Sequence, residues 1–187
     1  MKFLKKTLSM ILAGLLISNA ALTQDNKDYK CWSETQKLTI DNFAIKTRQL
    51  ETMSSYAQFT VTYSINGFDF LSRNFNKKVR NCFITTASWI DTTISVQQSL
   101  TYQQTLFNIC EIYSRQFRKA LRLNRKKIAK GTDFIEDLNR DCMADFAKRR
   151  IVYDKETKSG SDEAMQKLWE IQIQRELEEL KDFAYEK

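Results

Sequence analysis

Hydrophobic and polar residues alternate along the first half of the chain in the way typical of half-buried β-strands. Residues 57–65 alternate most regularly, and the Asn66-Gly67 pair that follows them predicts a turn. Residues 78–85 form a second run of β-branched and aromatic side chains. Residues 38–43 are either a shorter, earlier strand or the entry of a strand into a loop. This half of the chain therefore predicts a small antiparallel or mixed sheet.

The spacing of apolar residues changes to that of a helix from about residue 92. Apolar side chains then recur every three or four residues, which predicts a long helix that continues to Ile128. Gly131 predicts the end of this helix, and Thr132 or Asp133 is a suitable cap for the next one. The apolar face of the long helix comprises Leu100, Leu106, Phe107, Ile109, Cys110, Tyr113, Phe117 and Leu121.

Two further helices follow, with a polar segment between them. The second helix ends near Arg150, residues 153–160 predict a loop, and Ser161 or Asp162 caps the third helix. Because strands come first and helices follow, the fold class is α+β, with a small sheet, a long central helix and two more helices. The apolar faces comprise Ile135, Leu138, Cys142 and Phe146 in the second helix, and Met165, Trp169, Ile173, Leu177, Leu180 and Ala184 in the third.

The composition supports one folded domain and excludes several kinds of active site. The chain has 187 residues, of which 42% are hydrophobic, enough for a single core. It contains no histidine, which excludes a Ser-His-Asp triad, a Cys-His pair and a histidine zinc site. It contains no proline, which favours long helices over a turn-rich β-sandwich. We predict one domain over residues 36–187, preceded by an extension over residues 21–35.

Residues 1–20 have the pattern of an export signal. Three lysines precede an apolar stretch over residues 7–17, and residues 18–20 offer small side chains for cleavage. We expect this signal peptide to be cleaved, which would leave a periplasmic or secreted protein without a transmembrane span. The alternative is an uncleaved membrane anchor. Residues 1–20 hold three lysines and no acid, so their removal lowers the net charge from +7 to +4. This modest charge argues against a nucleic-acid partner.

Four cysteines lie beyond the predicted signal peptide: Cys31, Cys82, Cys110 and Cys142. An even number of cysteines in an exported chain predicts two disulfides, in any of three pairings. A tight hairpin of the first two helices would place Cys110 and Cys142 about 15 Å apart along the helix axis, too far for a bridge. Buried free thiols are the alternative for one or more of the four.

Residues 100–115 carry a sequence that resembles the active-site helix of a bacterial family. The segment reads L-T-Y-Q-Q-T-L-F-N-I-C-E-I-Y-S-R. It resembles the motif L-x-H-E-Q-x-H-F-D-I-x-E-[IL]-x-x-R of the domain-of-unknown-function family nine-twenty-two, which is regarded as a family of secreted zinc-dependent proteases. Tyr102 and Leu106 stand where that family has its two histidines, and Gln103 stands where it has glutamate. The matching positions are Leu100, Gln104, Phe107, Ile109, Glu111, Ile112 and Arg115.

Other segments resemble the same family in the same order, so the resemblance covers about residues 36–180. Residues 153–160 are similar to its Y-D-x-x-T-x-H-G loop, with Ser159 in place of the histidine. The resemblance implies a zincin-like fold. The remaining matched elements are residues 38–43, similar to an N-terminal L-x-W-x-D-F, the pair Ser88-Trp89 before the helix, and Gln166 and Trp169 of a closing Q-x-x-W.

A zinc protease of this kind needs two histidines one helical turn apart, a glutamate base and a further carboxylate ligand. The resemblance assigns that further ligand to Glu111. Tyr102 offers one oxygen, but Leu106 offers no ligand atom and Gln103 does not accept a proton near neutral pH. We therefore expect no zinc, no other cofactor and no catalytic residue. The degenerate positions are Tyr102, Gln103, Leu106, Glu111 and Ser159.

The leading hypothesis is a non-catalytic, zinc-protease-like protein of the cell envelope that binds or scaffolds a protein or peptide partner. Glu111 is expected to pair with Arg115 on the helix surface, or with Arg115 or Tyr102 if it is buried. The inherited cleft would be more apolar than a metal site, which favours hydrophobic contacts. Its expected lining is Trp89, Tyr102, Gln103 and Leu106.

Two alternative functions stay open. One is an active secreted hydrolase with a non-histidine metal site or paired carboxylates, for which residues 133–145 supply five acids. The other is the binding of anionic lipid or polysaccharide through a basic patch at the end of the long helix. The alternative for these basic residues is an ordinary solvated helix end. The basic patch comprises Arg118, Lys119, Arg122, Arg125, Lys126, Lys127 and Lys130.

Overall fold

Six short strands in two sheets are found in the described part of the first half of the chain. The computed structural model describes residues 28–47 and 53–186. The strands are β1 (Tyr29–Cys31), β2 (Ile45–Thr47), β3 (Ser55–Tyr56), β4 (Phe59–Tyr63), β5 (Val79–Ile84) and β6 (Trp89–Asp91). One sheet is antiparallel in the order β1-β5-β4. The other has the order β2-β6-β3, with β2 parallel and β3 antiparallel to β6.

Four helices follow the strands, which confirms the predicted α+β class. They are α1 (Val96–Leu123), α2 (Arg125–Ile128), α3 (Asp133–Glu156) and α4 (Glu163–Glu179). Short 3₁₀ turns occur at Ile40–Asn42, Gly67–Leu71, Asn76–Lys78, Thr85–Ala87 and Lys181–Phe183. Within the described part of the chain, every helix is too short or too polar to cross a bilayer.

The long helix α1 lies at the centre of the fold and packs against both sheets, α3 and α4. Aromatic rings fill the space between α1 and the antiparallel sheet. Phe107 stacks on Phe59 with ring centroids 5.2 Å apart, and Phe83 meets Phe43 edge-on at 5.0 Å. A second apolar cluster surrounds the C-terminal part of α1 and includes the buried Phe117. The burial of these apolar surfaces is the main stabilising contribution to the fold.

The two strongest strand predictions are confirmed, because β4 and β5 lie inside the predicted runs. The predicted turn at Asn66 and Gly67 is wrong in kind. Asn66 caps a 3₁₀ helix, and its side chain accepts a hydrogen bond from the backbone N–H of Phe68 at 3.0 Å. Residues 38–43 hold a 3₁₀ turn instead of a strand, because the Asn42 side chain accepts the backbone N–H three residues before it.

The predicted long helix is divided into two. α1 ends at Leu123, and the short α2 completes the stretch that was predicted to continue to Ile128. Asn124 lies between them, and its side-chain amide donates to the carbonyl of Ala120 at 3.0 Å. An asparagine side chain that donates to a carbonyl of the preceding turn competes with helical continuation, which explains the interruption.

The predicted end of the second helix near Arg150 is wrong, because α3 continues to Glu156. Tyr153 is completely buried within the predicted loop and faces α1, so the helix continues for two more turns around it. The predicted cap of the third helix is confirmed. The Asp162 side chain accepts the backbone N–H of Met165 at 3.2 Å at the start of α4.

One disulfide joins Cys31 of β1 to Cys82 of β5, where the two strands pair directly. Cys110 and Cys142 are free, which confirms that they do not bridge each other. The prediction of two disulfides is therefore wrong. Burial raises the pKa of the Cys142 thiol to about 11 and raises that of Cys110 further. The predicted signal peptide, residues 1–20, lies outside the described residues.

We expect the free energy of unfolding of the double variant Cys31→Ser, Cys82→Ser to be about 4 kcal/mol below that of the native chain, because the bridge closes a long loop. Urea unfolding measures the difference. The matched control is Cys142→Ser, which alters a half-buried free thiol and is expected to change the unfolding free energy by about 1 kcal/mol or less. Thiol titration of the denatured, unreduced chain should count two free thiols, and a count of none or four would contradict the assignment.

Candidate functional site

Tyr102, at the first expected histidine position, lies in the interior of the fold. Its ring stacks on that of Tyr153 with centroids 5.2 Å apart, and its hydroxyl donates a hydrogen bond to the carboxylate of Asp154. Gly160 passes directly over the ring with a φ of 88°, and a Cβ atom there would lie 2.7 Å from the Tyr102 Cβ. Only glycine fits this position, because the backbone conformation and the close approach both exclude a side chain.

Helix α4 completes the packing around Tyr153, which stacks on Tyr102. The Tyr153 hydroxyl donates to Gln166 Oε1 at 2.6 Å, and Gln166 Nε2 donates to Thr105 Oγ1 at 3.0 Å. The Trp169 ring meets Tyr153 edge-on at 5.2 Å. Burial raises the pKa of both tyrosines well above the ordinary value. We call this set the tyrosine cluster: Tyr102, Tyr153, Asp154, Gly160, Gln166 and Trp169.

The expected cleft lined by Trp89, Tyr102, Gln103 and Leu106 is not open. The last three side chains are completely buried, and Trp89 is half-buried on β6. Gln103 donates to Ser55 Oγ at 3.0 Å, while its buried Oε1 atom has no hydrogen-bond partner. Leu106 belongs to the main hydrophobic cluster. These residues therefore contribute to the core.

Zinc does not fit the residues that the resemblance assigns to it. Leu106 has no ligand atom, and Tyr102 is already bonded to Asp154. Glu111 lies nine residues after Tyr102 on one continuous helix, so it faces the opposite side and lies about 14 Å further along the axis. Ser159 lies in a left-handed turn with a φ of 56°. Within residues 28–47 and 53–186, no group of three histidine, cysteine, aspartate or glutamate side chains could hold a metal ion.

Glu111 forms a buried ion network with two arginines. Its Oε1 atom accepts from Arg115 Nε at 3.2 Å and from Arg118 Nη1 at 2.7 Å, and all three side chains are at most 4% exposed. The expected pairing with Arg115 is confirmed, but the surface location is wrong. The expected place of Arg118 in an exposed basic patch is also wrong, because its guanidinium is enclosed.

The two arginines of this network connect α1 to three other segments. Arg115 Nη1 donates to the carbonyl of Leu177, in the last turn of α4, at 2.6 Å. Arg118 donates through Nη2 to the carbonyl of Val79 at 2.9 Å and through Nη1 to that of Phe183 at 2.9 Å. Carbonyl groups at helix ends carry partial negative charge, which compensates the second positive charge of the network.

An open groove of about 750 Å³ lies between α1 and α4, on the side of α1 away from Leu106. Amide and hydroxyl side chains of α1 form one wall, and charged, amide and apolar side chains of α4 form the other. Leu38 and Leu100 add apolar surface. The α1 wall comprises Gln97, Thr101, Gln104, Thr105 and Asn108, and the α4 wall comprises Lys167, Glu170, Ile171, Gln174, Arg175 and Glu178.

Hydrogen bonds fix two amide groups of the α1 wall. Gln104 Oε1 accepts the backbone N–H of Leu38 at 2.8 Å, and Gln104 Nε2 donates to Asn108 Oδ1 at 3.0 Å. A smaller hollow of about 50 Å³ shares Asn108 with the groove and reaches Arg115, whose guanidinium lies 5.1 Å from the Trp32 ring centre. The groove therefore ends beside the buried ion network.

The sequence carries one signal for this groove. Gln97, Thr101, Gln104 and Asn108 recur every three or four residues, so they form a polar stripe on α1 beside its apolar face. A stripe of short amides and hydroxyls differs from the charged residues usual on a solvated helix face. The opposite wall could not be found, because it depends on how α4 packs against α1.

No protein-family profile, curated protein or solved structure matches this chain. The resemblance to the zinc-dependent protease family, like the zincin-like fold that it implies, stays a prediction.

We expect Glu111→Gln to lower the free energy of unfolding by about 3–5 kcal/mol, because it leaves two buried guanidinium groups without their carboxylate. Urea unfolding measures the change. The control is Glu179→Gln, which makes the same substitution in an exposed ion pair with Arg175 and is expected to change stability by less than about 1 kcal/mol. Equal effects of the two variants would contradict a buried network.

We also expect stability to fall as pH rises above the ordinary tyrosine pKa of about 10. Above this pH the unfolded chain loses its tyrosine protons, while the folded chain keeps those of Tyr102 and Tyr153. The stabilising contribution of the two raised pKa values is therefore fully present below this pH and decreases above it. Tyr102→Phe should make this decrease shallower by about 1.4 kcal/mol per pH unit in urea unfolding. Tyr29→Phe is the control, because Tyr29 is exposed and lies outside the tyrosine cluster.

Proposed function

We propose that this chain is an exported, non-catalytic relative of zinc-dependent proteases that holds an extended segment of a protein partner in the groove between α1 and α4. The groove carries the proposal. Its volume of about 750 Å³ is within the range of ligand-binding clefts, and its walls combine apolar surface with a few fixed polar groups.

The tyrosine cluster supports the descent from a protease. Residues 153–160 and 166–169 resemble two motifs of the resembled family that lie far from Tyr102 in sequence. Residues of the first motif contact Tyr102, and those of the second contact Tyr153, which stacks on Tyr102. Motifs that surround a catalytic helix in an enzyme would lie close together in this way. In this chain an aromatic ring and its hydrogen bonds occupy the space that the resemblance gives to a metal, which supports a non-catalytic role.

The dimensions and charges of the groove favour a polypeptide. Its α4 wall extends from Lys167 to Glu178, about 16 Å, which matches roughly five residues of an extended chain. Cations and anions both line it, namely Lys37, Lys167 and Arg175 against Glu170 and Glu178. A uniformly charged polymer would meet repulsion along such a groove, whereas a peptide with charges of both signs can complement it.

The disulfide supports an exported location, periplasmic or secreted. Thiols of cytosolic proteins are kept reduced, so a bridge between paired strands is typical of chains that fold in an oxidising compartment. The partner would then be another protein of the cell envelope or its surroundings.

Selection of peptides from a phage-displayed random library tests the proposal. The selected peptide is synthesised, and its affinity is measured by fluorescence anisotropy against the native chain and two variants. We expect Ile171→Glu to weaken binding by about tenfold or more, because it places a charge among the apolar contacts of the groove. The matched control is Leu168→Glu on the same helix. Leu168 is 59% exposed and Ile171 is 60% exposed, but Leu168 lies outside the groove.

Two results would overturn the proposal. Equal affinity of the native chain and Ile171→Glu would place the binding site outside the groove. Chromatography over a day monitors the bound peptide, and its cleavage would show a catalytic protein instead. Retention of an intact peptide with loss of affinity only in Ile171→Glu is the expected result.

A further inference from the structure

Two stretches of the chain that contain no acidic residue meet at one end of the fold. The first runs from residue 70 to 90 and the second from residue 112 to 132, and the second includes the whole predicted basic patch. The 3₁₀ helix Gly67–Leu71, at the start of the first stretch, packs against α2 in the second. This end of the molecule therefore places Arg125, Lys126 and Lys127 of α2 beside the 3₁₀ helix.

Large apolar side chains are exposed at the same place. Phe68 is 82% exposed, Leu71 is 71% exposed, and Leu123, two residues before α2, is 73% exposed. These are the three most exposed large hydrophobic side chains of the described residues. We call the combined set the apolar–basic surface. It comprises Phe68, Leu71, Leu123, Arg125, Lys126 and Lys127.

The segments that carry this surface are anchored in the core. Phe70 packs against the second apolar cluster, which also contains the buried Ile128. Asp69, the acid of the same 3₁₀ helix, is paired: its carboxylate binds Lys78 Nζ at 3.1 Å and its side chain is 13% exposed. Exposed apolar side chains are thus held in fixed positions among cations.

We infer that this end of the protein binds the surface of a bilayer that contains anionic lipids. Phe68, Leu71 and Leu123 would enter the boundary between headgroups and acyl chains, and Arg125, Lys126 and Lys127 would contact the lipid phosphates. The combination favours a membrane over a soluble anionic polymer, since a polysaccharide or nucleic acid offers no apolar layer for three exposed hydrophobic side chains. The inference is independent of the groove, which lies toward the other end of α1.

Vesicle co-sedimentation tests the inference with the full chain. The vesicles are phosphatidylcholine with about one third phosphatidylglycerol, or phosphatidylcholine alone. We expect binding to the anionic vesicles only, weakened at high salt. Replacement of Arg125, Lys126 and Lys127 by Gln should weaken it on the order of a hundredfold. The double variant Phe68→Ser, Leu71→Ser should weaken it by at least about tenfold.

Matched controls use residues far from this surface. The first control replaces Lys148, Lys155 and Lys158 by Gln, which removes the same charge from α3 and the turn after it. The second control is Ile151→Ser, which removes a side chain that is 67% exposed on α3. Both controls should bind like the native chain. Phe68→Trp should show a blue-shifted emission with anionic vesicles, which reports insertion of the ring.

Each other outcome overturns the inference. Absence of binding to anionic vesicles, or equal binding to phosphatidylcholine alone, would exclude recognition of an anionic bilayer. In a third outcome, binding depends on the three cations, is unchanged in the double variant Phe68→Ser, Leu71→Ser, and gives no emission shift in Phe68→Trp. This result would identify a site for soluble anionic polymers. Dextran sulfate is the probe for that case.

Discussion

The buried network of Glu111, Arg115 and Arg118 is the constraint on which the arrangement of the other elements depends. A buried charge is tolerated only when its hydrogen bonds are complete, so each guanidinium must meet its carbonyl partners. Those partners lie in β5, at the end of α4 and in the final 3₁₀ turn. The network therefore fixes the positions of these segments on α1. Displacement of any of these segments would leave a buried guanidinium without its acceptor.

Local patterns were sufficient for most of the fold. The apolar stripe of α1, the alternating residues of β4 and the cap at Asp162 each reflect interactions within a few residues, and the structure contains all three elements. The end of α3 depends on a different kind of information. Residues 153–156 are polar enough to suggest a loop, and only the stacking of Tyr153 on Tyr102, fifty residues away, explains why the helix continues.

The candidate site was less predictable, for the same physical reason. Arg118 and Lys119 look alike in the sequence, but one is buried and the other is exposed, because only Arg118 faces the carbonyls of distant segments. The spacing of seven residues between Glu111 and Arg118, two helical turns, was the available signal. The absence of histidine excludes a histidine zinc site, but it does not indicate that positions 102, 103 and 106 hold core side chains. Nor does it indicate an open groove on the opposite side of the helix.

The continuity of α1 has a geometric consequence. Gln104 lies in the groove and Asn124 follows the last residue of the same helix, beside the apolar–basic surface, so about 30 Å of rigid helix separates the two sites. A ligand in the groove and a flat surface at the other end would be held at a fixed spacing, with little freedom to approach or separate. This distance is comparable to the thickness of a bilayer's hydrocarbon core. The protein would thus act as a spacer, and the length of one helix would decide how far from a membrane its partner is held.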